Sequence, residues 1–100
     1  MEVFLDKGLK DLNDNEIFGV NQQAATLKGL SIDALCATFK DEEKLSGEDK
    51  LKRYELALKI KNSSEPATLS AEEVTLIKKL IGKAYGTIIV GQAWTMLEGQ

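Results

Sequence analysis

Leu69-Ser70-Ala71-Glu72-Glu73-Val74-Thr75-Leu76-Ile77-Lys78-Lys79-Leu80-Ile81-Gly82-Lys83-Ala84-Tyr85 carries the clearest fold signals in the chain. Ser70 and Glu73 stand three apart, so the serine hydroxyl can accept from the glutamate amide while the glutamate carboxylate accepts from the serine amide. Leu69, just before this capping box, is placed to act as a hydrophobic staple. Val74, Ile77, Leu80, Ile81, Ala84 and Tyr85 then recur at three- and four-residue steps, which gives a helix one wide apolar face. Acidic residues open the segment and lysines close it, as the helix dipole favours. A helix from about Ala71 to Tyr85 follows.

Reading back toward the start, Asn62-Ser63-Ser64-Glu65-Pro66-Ala67 holds the only proline and breaks the pattern. Before it, Ser46 and Asp49 form a capping-box variant that opens a helix from Gly47 to about Lys61. Leu51, Tyr54 and Leu58 form its apolar row, widened by Leu56 and Ile60, and Lys50, Lys52, Arg53, Glu55 and Lys59 are left for solvent. Tyr54, between two leucines, is expected in the core. A shorter helix is expected from a Ser31 cap to about Lys40, with Ile32, Leu35, Cys36 and Phe39 inward and the Cys36 thiol buried. Asp41-Glu42-Glu43-Lys44-Leu45 reads as a charged connection.

Toward the end of the sequence, Gly82, Gly86 and Gly91 predict either a break near Gly86 or close backbone packing at a crossing. A break is favoured, with a last helix from Thr87 to Glu98. Ile88, Ile89, Val90, Ala93, Trp94, Met96 and Leu97 make that helix apolar nearly all round, relieved only by Thr87, Gln92, Thr95 and Glu98. Such a helix needs cover on more than one side. Either a second subunit supplies it, or the helix is central and wrapped by the rest of the chain.

The first third is polar and rich in turn formers. Val3, Phe4 and Leu5 and then Ile17, Phe18 and Val20 flank Lys10-Asp11-Leu12-Asn13-Asp14-Asn15-Glu16, which suits a β-hairpin or an extended arm. Asp11, Asn13 and Asn15 match the first, third and fifth positions of a calcium loop. Glu16 stands where the loop needs glycine, and Gln22 where it needs a bidentate glutamate, so no calcium site is expected. The expected architecture is mainly α: about four helices in a compact bundle with an N-terminal β-hairpin or extended arm. The 100 residues form one domain, with an arm over 1–29 and a helical body over 30–100.

Composition then narrows function. The chain has no histidine and one cysteine, which excludes a Ser-His-Asp triad, a His-ligated metal, an intrachain disulfide and CxxC chemistry. Adjacent carboxylates such as Glu72 and Glu73 are explained by helix capping. No catalytic residue, cofactor or metal is expected. Thirteen basic against sixteen acidic residues, with a single arginine, argue against nucleic acid as a partner. The cluster Lys78, Lys79 and Lys83 reads as a solvated helix end. The same lysines interrupt the most apolar stretch, Leu76 to Leu97, so no membrane span is expected. Met1 to Gly8 carries Glu2 and Asp6 and lacks the apolar run of a secretion signal, which suggests a cytoplasmic protein.

The order of segments resembles that of small morphogenesis proteins of long-tailed bacteriophages. The resemblance lies in Leu9-Lys10-Asp11-Leu12-Asn13-Asp14-Asn15-Glu16-Ile17, in Lys44-Leu45-Ser46-Gly47-Glu48-Asp49-Lys50-Leu51-Lys52-Arg53-Tyr54, and in the tail from Leu69 through Glu98. Tail assembly chaperones are the closest of these in length and helical character. The resemblance implies a non-enzymatic helical protein that self-associates in the host cytoplasm and shields a longer hydrophobic phage structural protein. On that reading the interface is the last helix, through Ile88, Ile89, Val90, Ala93, Trp94 and Leu97. The alternative is a small phage-encoded inhibitor or regulator that docks on a host protein through Asp41 to Glu43 and the N-terminal arm.

Overall fold

The computed structural model describes residues 1–18, 24–42 and 44–98, so Val20, Gln22 and Glu43 lie outside the described residues. Its elements run β1 (Glu2–Val3), α1 (Leu27–Cys36), a 3₁₀ turn (Lys40–Glu42), α2 (Gly47–Lys61), β2 (Ala67–Thr68), α3 (Ala71–Ala84) and α4 (Thr87–Leu97). The architecture is mainly α with four helices, as expected.

α3 is the centre of the body. Its full capping box forms, with Glu73 N–H donating to Ser70 Oγ and Ser70 N–H donating to Glu73 Oε1. Val74, Ile77, Leu80 and Ile81 are buried. α1 packs against α2 and α3, and α4 lies along α3. Ile60 of α2, Leu27 of α1, Leu69 before α3 and Leu97 of α4 close the core around it.

α1 corrects three expectations: its cap at Ser31, its end near Lys40 and the burial of Cys36. Its cap is Thr26, whose Oγ1 accepts from Gly29 N–H, and the helix ends at Cys36. Starting a turn earlier turns Leu27, Leu30, Ser31, Ala34 and Leu35 inward. Ser31 is therefore a buried helix residue rather than the cap, and Cys36 is exposed rather than buried.

The N-terminal segment pairs in two ways. β1 runs antiparallel to β2, with Glu2 opposite Thr68 and Val3 opposite Ala67, and Met1 and Leu69 exchange backbone hydrogen bonds beyond them. Val3 and Leu5 turn inward while Glu2 and Phe4 face out, the alternation a half-buried strand requires. Further on, Lys10 and Glu16 bridge antiparallel across a tight loop. Asp11 Oδ1 accepts from the amides of Asn13 and Asn15, and Asp14 sits at φ 63°. A short polar side chain tolerates that left-handed backbone.

Candidate functional site

α2 shows two apolar stripes, and only one of them meets the core. Arg53, Leu56, Ala57 and Ile60 repeat at the steps that keep one helix face inward, and all four are buried. Leu51, Tyr54 and Leu58 lie on the outward side and are 54%, 57% and 37% exposed. The row expected in the core is therefore the surface row, and the arginine assigned to solvent is inside. The missed signal is arithmetic: two stripes on one helix in a domain this small leave one unburied.

Arg53 turns inward because it has a partner. Its Nη1 and Nη2 donate to Glu42 Oε1 and Oε2 at 2.8 and 2.6 Å, a bidentate pair that is 8% and 11% exposed on its two side chains. Lys83 Nζ adds contacts to Asp41 Oδ2 at 3.1 Å and Glu42 Oε2 at 3.2 Å, and lies 5.6 Å from the centre of the Phe39 ring. The Arg53 hydrogen bonds outweigh burial and hold the Glu42 carboxyl at about 2, well below its ordinary value of 4.5. The Glu42 carboxylate in turn raises Arg53. This network ties the 3₁₀ turn to α2 and α3 and neutralises its own charges.

Between that turn and α2 opens a cleft of about 410 Å³. Leu35, Phe39 and Leu45 form its apolar wall, Arg53 lies at its base, and Lys50 and Tyr54 stand on the α2 side. Cys36 also lines the cleft, on the α1 side. The apolar row of α2 and the cleft share Tyr54.

The residues expected to form an interface on α4 are divided. Ala93 and Leu97 are fully buried against α3 and belong to the core, while Ile89 and Val90 are half-buried. Ile88 and Trp94 are 40% and 37% exposed. Trp94 is already strapped: its Nε1 donates to Lys78 O at 3.0 Å, Lys78 Nζ lies 4.7 Å from its ring centre, and Lys78 pairs with Glu98 at 2.7 Å. Gln92 bonds both backbone groups of Lys10 through its side-chain amide and fastens the N-terminal loop to α4. α4 thus buries Ala93 and Leu97 on one side and leaves Ile88 and Trp94 at the surface on the other. The basic cluster is likewise engaged at Lys78 and Lys83.

The oxygen of Asp11 that a calcium loop would aim at an ion is occupied by two backbone amides. Among the described residues, no three Cys, Asp or Glu side chains converge as a metal site, and no helix is long and apolar enough to cross a membrane. No family model, curated protein or solved structure matches the chain.

Proposed function

We propose that this protein works by association with other proteins and that the outward face of α2 is its contact surface. One observation carries the reading: Leu51, Tyr54 and Leu58 stand in a row on an exposed helix face, and the opposite face of the same helix is locked into the core. Large side chains grouped in this way mark interaction surfaces more often than isolated ones do. Tyr54, an exposed aromatic beside a cleft, is also the residue type that anchors contact centres.

The resemblance to phage morphogenesis proteins narrows the proposal to an assembly factor or chaperone in the host cytoplasm. In that role the α2 face would cover apolar surface of a structural protein before polymerisation, with no catalytic group required. The inhibitor reading has less support, because Asp41 and Glu42 are already paired with Lys83 and Arg53 rather than free for a host protein.

Site-specific photo-cross-linking tests the proposal. A p-benzoylphenylalanine placed at position 54 and irradiated in the producing cell should give adducts heavier than the chain, and one placed at position 88 on α4 should give few. Adducts confined to position 88, or absent from both, would overturn it.

A further inference from the structure

We infer that the α2 face pairs with a second copy of the same chain, the two α2 helices running antiparallel. The inference rests on the association reading and names the partner from the charges beside the apolar row. Glu48, Lys52, Glu55 and Lys59 line one flank of Leu51, Tyr54 and Leu58, spaced four, three and four residues apart and alternating in sign. Glu48, Lys52 and Glu55 form no ion pair among the described residues, and Lys59, which meets Glu73 at 2.7 Å, stays half exposed.

Two copies related by a two-fold axis between positions 53 and 54 place Lys52 of one chain opposite Glu55 of the other. Glu48 then faces Lys59, and each contact occurs twice. A parallel two-fold pair carries this flank to the opposite side of the seam in the second copy, so none of these opposite-charge contacts forms. The pattern therefore selects the antiparallel arrangement, and so do the opposed helix dipoles. In that register Leu51 falls between Tyr54 and Leu58 of the other copy, and the two Tyr54 rings meet near the axis. A two-fold contact needs a self-complementary patch, and this flank has one. Fifteen residues span only about 22 Å of helix, so the pair belongs among small, concentration-dependent interfaces.

Sedimentation velocity of the purified full chain between about 10 µM and 1 mM, a range that brackets weak association, tests this. The wild type should move from monomer to dimer, and the dimer should weaken as salt rises. Glu55→Lys sets lysine against lysine at both symmetric contacts, and Lys52→Glu sets glutamate against glutamate. Each variant alone should weaken the dimer about tenfold or more. An equimolar mixture of the two restores an opposite-charge pair at both contacts and should give a heterodimer, which also shows that both variants are folded. A wild type that stays monomeric throughout, or a dimer indifferent to both reversals, overturns the inference. If the wild type is monomeric while position 54 still cross-links to a different protein, the second copy is excluded and the association reading stands. If neither occurs, both fall.

Discussion

α4 contains no charged residue, whereas eight of the fifteen residues of α2 are charged, yet α2 presents the larger apolar row to solvent. The difference lies in what each helix meets. α4 lies along α3, buries Ala93 and Leu97, and ties its exposed indole down through Lys78. α2 sends Arg53, Leu56, Ala57 and Ile60 inward, and the remaining stripe stays exposed. Mean apolarity therefore measures how much a helix has to hide. Which residues end up outside is set by the partner on its other face.

The largest effects should follow from treating the two helices alike. Leu97→Ala empties a fully buried site and should cost about 3 kcal/mol, read as a fall in melting temperature of more than ten degrees on the order expected for a domain this size. Leu51→Ala on the outward face of α2 should change stability by less than about 0.5 kcal/mol. Equal losses for the two leucines in thermal unfolding would abolish the contrast.

Next in size is the pair that fixes which face of α2 turns inward. Arg53→Met leaves the Glu42 carboxylate without its bidentate partner and should destabilise by about 3 kcal/mol. The pair also sets an acid dependence. Glu42 titrates lower in the folded chain than in the unfolded one, so its contribution is complete above pH 4.5 and is lost as pH falls from there toward 2. Urea midpoints measured across that window should decline in the wild type and decline less in Glu42→Gln. Identical slopes would remove Glu42 from the account.

This pair also marks where the sequence stops being readable. The caps of α2 and α3 were legible because Ser46 and Ser70 act within three residues of themselves, and so was the break before Thr87. The face of α2 was not. Leu51, Tyr54 and Leu58 fit helical spacing as well as Leu56, Ala57 and Ile60 do, and what separates them is a salt bridge to Glu42 in a different element. Likewise Thr26 and Ser31 are both competent caps, and the burial of Leu27 in the core chose the first. The candidate interface on α4 is divided for the same reason, since composition reports that Ala93 and Leu97 must be covered and not that α3 already covers them.

A smaller consequence of the early cap falls on Cys36. Because the helix begins at Leu27, this thiol faces outward at the end of α1 beside the cleft. Iodoacetamide should alkylate it in the native chain at close to the rate seen in urea, with little change in unfolding midpoint. A native rate limited by unfolding would return it to the interior and undo the assignment of α1.

The smallest expected effect tests how closely α4 is bound to α3. Replacing a mid-helix glycine by alanine ordinarily gains about 1 kcal/mol, and Gly82 lies within α3. A methyl group there would sit 3.4 Å from Trp94 Cζ2, at the tight end of ordinary contact. Side chains lean toward the start of their helix, so a Cβ at position 82 overhangs the carbonyl of Lys78, the group that receives the indole N–H. The methyl would therefore meet the indole at its closest ordinary approach, and Gly82→Ala should gain less than the ordinary amount in the wild type. In a Trp94→Leu background this contact is gone, and the same substitution should recover most of the glycine-to-alanine gain. A double-mutant cycle in urea should then show a coupling of about 0.5–1 kcal/mol. A full gain in the wild type would mean that the indole does not rest on the Lys78 carbonyl, and that Trp94 is as available on the surface of α4 as Tyr54 is on α2.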